Sequence, residues 1–374
     1  MPKKIDYSNS FGVQIEDNAI RLVEIIQRRK RLEVTGFFKK SLETGIVEKG
    51  VIKKKKALAK IISQGLVHCT PNPIKKKKVI CSVPEYKSFV KIIEIPLMEV
   101  EEITEAIKWE AEDNIPLPLK KVYYDWKIID SSKEEGKMNI ILVAAPRDVI
   151  DSRIEVFELC GLLPFGFVPD SFGLNKCLAM VEQKKINTNS QVSQLNKAQL
   201  AENKQLAAVI YFGDEKSVIF IRRGPIILFS SSIIFNASQF VKEIIKPLTP
   251  NKHGESKSIS QDAALEEIKK NGFGDQHQGK EYYQTAQIVI KELLREIKNA
   301  LNYFERKEEI QIPAIYLTGA GSSLKGIDEF FSAELGRKIE KGKELAGYDI
   351  AGGSLAIPKN FICDYAIVLG SALG

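Results

Sequence analysis

The clearest hydrophobic pattern lies between Ile95 and Asp125. Apolar residues recur there at helical spacing, with glutamates between them, and this predicts an amphipathic helix with one dry face formed by Val100, Ile103, Ala106, Ile107 and Ala111. Pro116 and Pro118 then end the helix. Because the segment has no nucleophile or cluster of metal ligands, it favours docking of a partner over catalysis.

Strand and helix patterns alternate along the chain, which predicts an α/β protein. Residues 12–42 predict three short strands joined by tight turns, and residues 206–233 repeat this plan, as a duplicated domain would. Other segments predict the buried strands Val79–Val83, Ile140–Ala145 and Ala314–Thr318, and the helices Ala57–Gly65, Arg147–Cys160, Gln287–Phe304, Leu324–Leu335 and 364–374.

Polar stretches separate these elements. Residues 183–205 predict a flexible connection between the two halves, and weakly structured stretches are expected at 249–261 and 271–280. A chain of 374 residues is too long for one ordinary core. We therefore expect at least two domains, with the second half covering residues 206–374.

Composition excludes several classes of protein. Net charge is only +7, from 55 basic and 48 acidic residues. No apolar run approaches the ~18 residues of a membrane-spanning helix, and no secretory signal is visible, so we expect a cytoplasmic protein. The five cysteines are widely spaced and predict reduced thiols. Three histidines without carboxylates or cysteines at suitable spacing make a zinc site or a Ser-His-Asp hydrolase poor hypotheses.

Basic residues form three clusters, at Arg28–Arg31, Lys53–Lys56 and Lys75–Lys78. They could contact anionic lipid headgroups, or they could be solvated turns and a wet helix face. Since no aromatic residues are interleaved with them, a surface that stacks nucleic-acid bases is not indicated.

The loop Gly319–Gly321 lies between a predicted strand and a predicted helix, where backbone amides can bind phosphate or ribose. Gly319, Ala320 and Gly321 would let a nucleotide approach closely, and Ser322 or Ser323 could cap the helix. The alternative is a tight turn that requires glycine for its geometry alone. The sequence does not decide between the two.

Several segments match one family in the same order along nearly the whole chain: GVQIEDNAIRLVEI, SVPEYKSFVKIIEIP, IKWEAEDNIPLPL, GLLPFGFVPDSFGL and YLTGAGSSLKGIDEFFSAELG. With these segments the chain resembles PilM, the actin-like cytoplasmic assembly proteins of type IV pili, which are related to the cell-division protein FtsA. The resemblance implies a duplicated two-lobe actin-like (ribonuclease H-like) fold. Its first lobe would comprise residues 1–83 and 138–182, with a small FtsA-like subdomain inserted at 84–137, and the second lobe would have a helical subdomain at 236–311.

The resemblance also implies a partner, the N-terminal tail of a PilN-like single-span inner-membrane protein, held in a groove beside the inserted subdomain. The β-rich edge at Val79–Ile95 suits an extended peptide. We assign the partner-binding role to Val83, Pro84, Trp109, Ile115 and Pro116. Other pilus components and an anionic membrane surface are further possible partners, while the oligomeric state stays open.

The chain departs from the actin-like pattern at the nucleotide site. Actin-like proteins carry an aspartate that orients a metal in each hairpin, but here Gln14 and Glu16 occupy the first motif and Tyr211 replaces the second aspartate, while Gly213 is kept. Glu16 or Asp17, pointing at a phosphate ~4 Å away, would oppose it by about 1 kcal/mol in water and ~4 kcal/mol at an effective dielectric of 20. Asp170, near a position where relatives have an acid, would lack metal partners.

We therefore expect a degenerate nucleotide site at Gly213, Gly319, Ala320 and Gly321, and no resident cofactor or metal. The predicted function is a scaffold of a type IV pilus or related type II secretion machine, peripheral to the inner membrane and without ATP hydrolysis. The alternative is an active or weakly nucleotide-binding actin-like ATPase or kinase, for which ATP or ADP would be the ligand.

Overall fold

The computed structural model describes residues 9–28, 31–132, 136–188, 206–245, 268, 270–273, 281–341 and 361–373. The strands in this part of the chain are β1 (Ser10–Ile15), β2 (Ala19–Arg28), β3 (Arg31–Ser41), β4 (Val47–Glu48), β5 (Val51–Ile52), β6 (Thr70–Pro71), β7 (Lys78–Val83), β8 (Phe89–Pro96), β9 (Val122–Ser132), β10 (Lys137–Pro146), β11 (Leu163–Pro169), β12 (Leu206–Phe212), β13 (Ser217–Arg223), β14 (Ile226–Ile233), β15 (Ala314–Thr318) and β16 (Glu340–Lys341). The helices are α1 (Lys55–His68), α2 (Val100–Asn114), α3 (Arg147–Leu159), α4 (Asp170–Thr188), α5 (Ala237–Ile245), α6 (Glu281–Val289), α7 (Lys291–Glu308), α8 (Ile327–Leu335) and α9 (Phe361–Ala372).

Two large sheets share one plan. In the six-stranded sheet, of order β11-β7-β1-β2-β3-β6, the strands β1 to β3 are antiparallel and β7 is parallel to β1. In the five-stranded sheet, of order β14-β13-β12-β15-β16, the strands β12 to β14 are antiparallel and β15 is parallel to β12. The predicted duplication and the α/β class are therefore confirmed.

Helices α4 and α9 lie between the two large sheets. Their apolar faces share one core with residues of both sheets, including Val23 of β2 and Phe220 of β13. A second core lies on the other face of the six-stranded sheet, beneath α1 and α3. A third core lies between the five-stranded sheet and helices α5 to α8. This layered packing brings the β1–β2 turn, the β12–β13 turn and the first residue of α4 close together.

A small three-stranded sheet, of order β8-β10-β9, packs against the amphipathic helix α2. Ile103 and Ile107 of α2 share its core with Ile140 and Leu142 of β10. Ile141, on the opposite face of β10, joins the core between the two large sheets. The apolar run in β10 is therefore continuous because both faces are buried, as predicted. The predicted boundary after residue 137 puts this strand in the first lobe, whereas it pairs with β8 and β9 of the small sheet.

Other boundaries also differ from the prediction. The predicted helix Gln287–Phe304 is interrupted at Ile290, between α6 and α7. Residues 320–323 form a 3-10 turn, and α8 begins only at Ile327, after Gly326 with a φ of 71°. Helix α4 continues to Thr188, so 183–188 are helical and 189–205 lie outside the described residues, as do 249–261 and 274–280. The division into lobes and an inserted subdomain remains a prediction.

No helix in the described part of the chain is long and apolar enough to span a membrane.

Candidate functional site

A cavity of about 790 Å³ lies between the two large sheets. One side is formed by the β1–β2 turn, by Lys49 and by Pro84 to Tyr86 after β7. The opposite side is formed by the β12–β13 turn and by the start of α5, including Asp214, Glu215, Lys216, Asn236, Gln239 and Lys242. Both hairpins that we assigned to the degenerate nucleotide site therefore reach this cavity.

Lys216 has charged partners on two different elements. Its Nζ lies 2.8 Å from Oε1 of Glu16, at the end of β1, and 2.5 Å from Oδ2 of Asp170, the first residue of α4. All three side chains are buried, with Asp170 only 1% exposed. Buried charges require compensation of this kind, because removing them from water is costly.

Glu16 has a second cationic partner, Arg21 on β2, and its Oε1 accepts a hydrogen bond of 2.9 Å from Nε2 of Gln14. Burial alone would raise the pKa of the Glu16 carboxyl, but Lys216 and Arg21 outweigh burial and hold this pKa at about 2. Burial acts against the charge of Lys216 too, yet Asp170 and Glu16 raise its pKa above the usual range. The ammonium and the Glu16 carboxylate are therefore both charged at neutral pH.

These contacts change our expectation for the acidic residues. Glu16 does not face the cavity as an uncompensated carboxylate, because two cations contact it. Asp17 accepts hydrogen bonds from the backbone amides of Lys49 (2.8 Å) and Gly50 (2.9 Å). Asp170, which we expected to stand without a metal partner, is paired with an ammonium instead.

Sequence reasoning missed Lys216 and Arg21. Lys216 follows two acids in a turn, so it resembles an ordinary solvated turn residue. Arg21 gave a usable signal, because it interrupts the apolar run of β2 between Ile20 and Leu22. A charged residue in a buried strand generally requires a counterion.

The glycine loop packs against the five-stranded sheet. Gly319 has a φ of 91°, and a Cβ on it would lie 2.7 Å from the carbonyl oxygen of Phe212. A Cβ on Gly321 would lie 2.4 Å from the Phe212 ring. Gly319, Ala320 and Gly321 do not line the cavity, and the hydroxyls of Ser322 and Ser323 donate to the carbonyls of Gly319 and Ala320. The serines thus do not cap α8, and the contacts favour the interpretation as a tight turn.

The other altered positions lie close to the cavity but inside the protein. Gln14 is fully buried, and Tyr211 belongs to the core between the sheets, where burial raises the pKa of its hydroxyl. Gly213 donates its amide to the carbonyl of Lys216 at 3.0 Å, which closes the β12–β13 turn. A Cβ on Gly213 would lie 2.4 Å from the Tyr211 ring, so this glycine is required for packing.

Two smaller cavities follow β9, the outer strand of the small sheet. One, of about 330 Å³, is lined by Tyr123 to Asp125 and, on the facing wall, by Val83, Ile150, Ile154, Phe167 and Pro169. The next, of about 360 Å³, is lined by Lys127 to Ile129 and by residues of α4, β14 and α9. Together we call them the β9 groove.

The structure does not bring the five assigned partner-binding residues together. Val83 lines the β9 groove, whereas Pro84 lines the cavity between the large sheets. Ile115 is only 6% exposed, because it belongs to the core beneath α2. Trp109 is 71% exposed on α2, and it and the exposed Pro116 lie outside the lining of the groove. The prediction of a β-rich edge at Val79–Ile95 is wrong for β7, which is a central strand between β1 and β11, whereas β8 lies at an edge of the small sheet.

A family model described as type IV pilus assembly protein PilM matches residues 12–341. The chain belongs to the PilM family. Among solved structures, a PilM-PilN type IV pilus biogenesis complex is similar with a TM-score of 0.72 and 22% identity, covering 98% of each chain.

Two further structures share the fold. The ethanolamine utilization protein EutJ from Carboxydothermus hydrogenoformans has a TM-score of 0.51 and 13% identity, over 97% of this chain and 88% of EutJ. MreB5 of Spiroplasma citri bound to AMPPNP has a TM-score of 0.50 and 12% identity, over 97% and 95% of the two chains. This PilM-family chain therefore has the predicted actin-like fold.

Glu215 should make the stability of the protein depend on pH. Burial raises the pKa of its carboxyl to about 8, with a further increase from the charge of Glu16. The folded protein thus retains a proton that the unfolded chain releases near its ordinary pKa of 4.5. The resulting stabilisation is complete below that value and is lost as the pH rises through 8. Between about pH 5 and 8, the Tm of Glu215→Gln should therefore fall less steeply with rising pH than the Tm of the wild type. Identical slopes would contradict this assignment.

Proposed function

We propose that this PilM-family protein is a scaffold of a type IV pilus machine, or of a related type II secretion machine, that acts without hydrolysing ATP. It would hold the N-terminal tail of a PilN-like single-span protein at the cytoplasmic face of the inner membrane. Family membership supports the pilus role, and the similar PilM-PilN complex supports the class of partner. The observation that carries the proposal for this chain is the groove along the edge of β9.

The outer edge of β9 is available for pairing. Among the described strands, β9 pairs only with β10, along Val122 to Ser132. An edge strand presents backbone amides and carbonyls that a partner strand can satisfy. At ~3.3 Å per residue, seven residues from Tyr123 to Ile129 would accept about 20 Å of extended peptide. The tail would bind by adding a strand, with side-chain pockets providing specificity.

The groove is also held in a fixed shape. The hydroxyl of Tyr123 donates to Oδ1 of Asp151 on α3 at 3.0 Å, and the guanidinium of Arg147 stacks 4.0 Å from the centre of its ring. Tyr124, the next residue, lines the same cavity and is 38% exposed at its mouth. A preorganised wall reduces the entropic cost of binding an extended segment.

In this proposal the protein lies at the membrane because its partner is anchored there. A tail that emerges from a single-span protein would keep the scaffold within a few nanometres of the bilayer. Basic residues such as Lys75 and Lys77, which are exposed, would add attraction to anionic lipids and to other acidic pilus components. No contact with nucleic acid is proposed.

Tail binding can be tested by calorimetric titration with a synthetic peptide of the N-terminal tail of the PilN-like single-span protein from the same organism. We expect Tyr124→Ala to weaken binding by about 10- to 30-fold, because it removes an aromatic wall from the groove. Trp109→Ala is the matched control, an exposed aromatic residue outside the groove, and should bind the peptide like the wild type.

Two results would count against this assignment. Absence of binding at about 100 µM peptide would refute the proposed partner. A loss confined to Trp109→Ala would instead place the tail on α2.

The proposal of a scaffold without hydrolysis is supported by the packing of the glycine loop on Phe212 and by the occupied carboxylates of Glu16 and Asp170. An ATPase needs a positioned metal and a group that orients the attacking water.

A further inference from the structure

Actin-like folds with a bound triphosphate need a cation beside the phosphates, and hard oxygen ligands from carboxylates hold such a cation. One neighbour of this fold, MreB5, is bound to AMPPNP. The residues of this chain do not fit such a cation, because Lys216 already lies between the two carboxylates that converge at the cavity. We propose that the Lys216 ammonium takes the place of the divalent cation and joins the two large sheets without nucleotide. This inference does not rest on tail binding.

The distances identify the ammonium as the shared partner. Nζ of Lys216 contacts Glu16 at 2.8 Å and Asp170 at 2.5 Å, whereas a magnesium ion would require oxygen ligands at about 2.0–2.1 Å. With Arg21 also paired to Glu16, two cations balance two carboxylates. A divalent ion entering this cluster would meet two positive charges, and three of the four carboxylate oxygens, both of Glu16 and Oδ2 of Asp170, are already engaged.

The ammonium bridges elements from opposite sides of the cavity. Lys216 immediately precedes β13 of the five-stranded sheet, and Glu16 immediately follows β1 of the six-stranded sheet. Asp170 is fixed at the start of α4, where its Oδ2 also accepts the backbone amide of Glu85 at 3.2 Å. Glu85 in turn accepts hydrogen bonds from the amide and hydroxyl of Ser171 at 3.0 and 2.9 Å.

This arrangement has a functional meaning beyond stability. In an actin-like protein that depends on a metal and a nucleotide, the arrangement of the two halves would depend on what fills the cavity. Here a lysine of the chain supplies the bridging charge permanently. The protein should therefore keep one arrangement of its halves whether or not nucleotide and magnesium are present.

The test compares thermal unfolding of the wild type and Lys216→Ala in three solutions: EDTA, about 10 mM magnesium chloride, and magnesium chloride plus AMPPNP. The magnesium concentration is about a hundredfold above the Kd assumed for a weak site. The wild type should show the same Tm in all three solutions. Lys216→Ala should unfold at a lower temperature in EDTA and recover by about 2–5 °C with magnesium, because the ion can then occupy the place between Glu16 and Asp170.

Two further variants sharpen the result. Lys242→Ala removes an exposed lysine from the same cavity and should behave like the wild type. Asp170→Asn in the Lys216→Ala background should abolish the response to magnesium, which separates a site at these carboxylates from a general effect of salt.

The inference is overturned if magnesium with AMPPNP raises the Tm of the wild type, or if Lys216→Ala folds and ignores magnesium. Should Lys216→Ala fail to fold, calorimetric titration of the wild type with magnesium and AMPPNP decides alone, since measurable binding contradicts the inference and its absence supports it. Loss of tail binding in the groove would leave these outcomes unchanged.

Discussion

Replacing Lys216 with methionine is expected to lower the free energy of unfolding by about 3–5 kcal/mol, the usual cost of removing one partner from a buried ion pair. The methionine retains most of the volume but leaves Asp170 without its cation, while Glu16 retains only Arg21. Urea unfolding followed by circular dichroism measures the loss.

A double-mutant cycle with Asp170→Asn identifies the interaction responsible. In the double variant no buried carboxylate lacks a cation at this position, so part of the stability should return, with a coupling of about 0.5–3 kcal/mol. Lys242→Met, at an exposed position of the same cavity, should change stability by less than about 0.5 kcal/mol. A cost for Lys216→Met as small as this control would show that the buried network does not stabilise the fold.

The second large effect is expected at the crossing of α4 and α9. Gly370 of α9 lies so close to Gly173 of α4 that a Cβ on Gly370 would be 1.6 Å from the carbonyl oxygen and 2.5 Å from the carbonyl carbon of Gly173. Neither backbone can yield without separating the helices, so Gly370→Ala should cost about 3 kcal/mol or more. The free energy of unfolding in urea measures this effect.

Gly166→Ala is the matched control for this substitution. A Cβ on Gly166 would lie 3.9 Å from its nearest neighbour, a side-chain atom of Ile80, which is ordinary contact distance. Its free energy of unfolding should stay within about 0.5 kcal/mol of the wild type. If Gly370→Ala lowered the free energy of unfolding equally little, α4 and α9 would have to lie farther apart at their crossing than they do in this structure.

The crossing also matters for the ion network. Asp170 is the first residue of α4, three positions before Gly173. A displacement of α4 by Gly370→Ala should therefore move Asp170 relative to Lys216. The effects of Gly370→Ala and Lys216→Met should consequently be less than additive, because both act on the seating of α4 between the sheets.

Local periodicity was sufficient to predict most of the elements. The alternation of β1 to β3 and its repetition in β12 to β14 predicted the duplication, because inward and outward positions along a strand are fixed by its two-residue repeat. The amphipathic pattern of α2 likewise predicted which of its residues are buried, since Ile103, Ile107 and Ala111 all lie in the core of the small sheet. The family resemblance was confirmed over residues 12–341.

Periodicity could not show which buried layer contains an element. The strand β10 was predicted correctly from its apolar run, but the run is equally compatible with a large or a small sheet. Only its pairing with β8 and β9 decided the matter. Periodicity also could not show which of the assigned partner-binding residues lie together, because Ile115 and Trp109 are close in sequence but lie in the core and in solvent, respectively.

The sequence by itself determined the duplicated strand pattern, because that pattern is written in local alternation, and the family resemblance indicated altered residues at the usual metal-orienting positions. Tertiary structure alone decided which charged side chains meet at the cavity. Glu16, Asp170 and Lys216 come from distant parts of the chain, and the layered packing of the sheets and α4 brings their charges within hydrogen-bonding distance. Electrostatic partnership depends on distance in space and on burial, and neither quantity can be read from the order of residues.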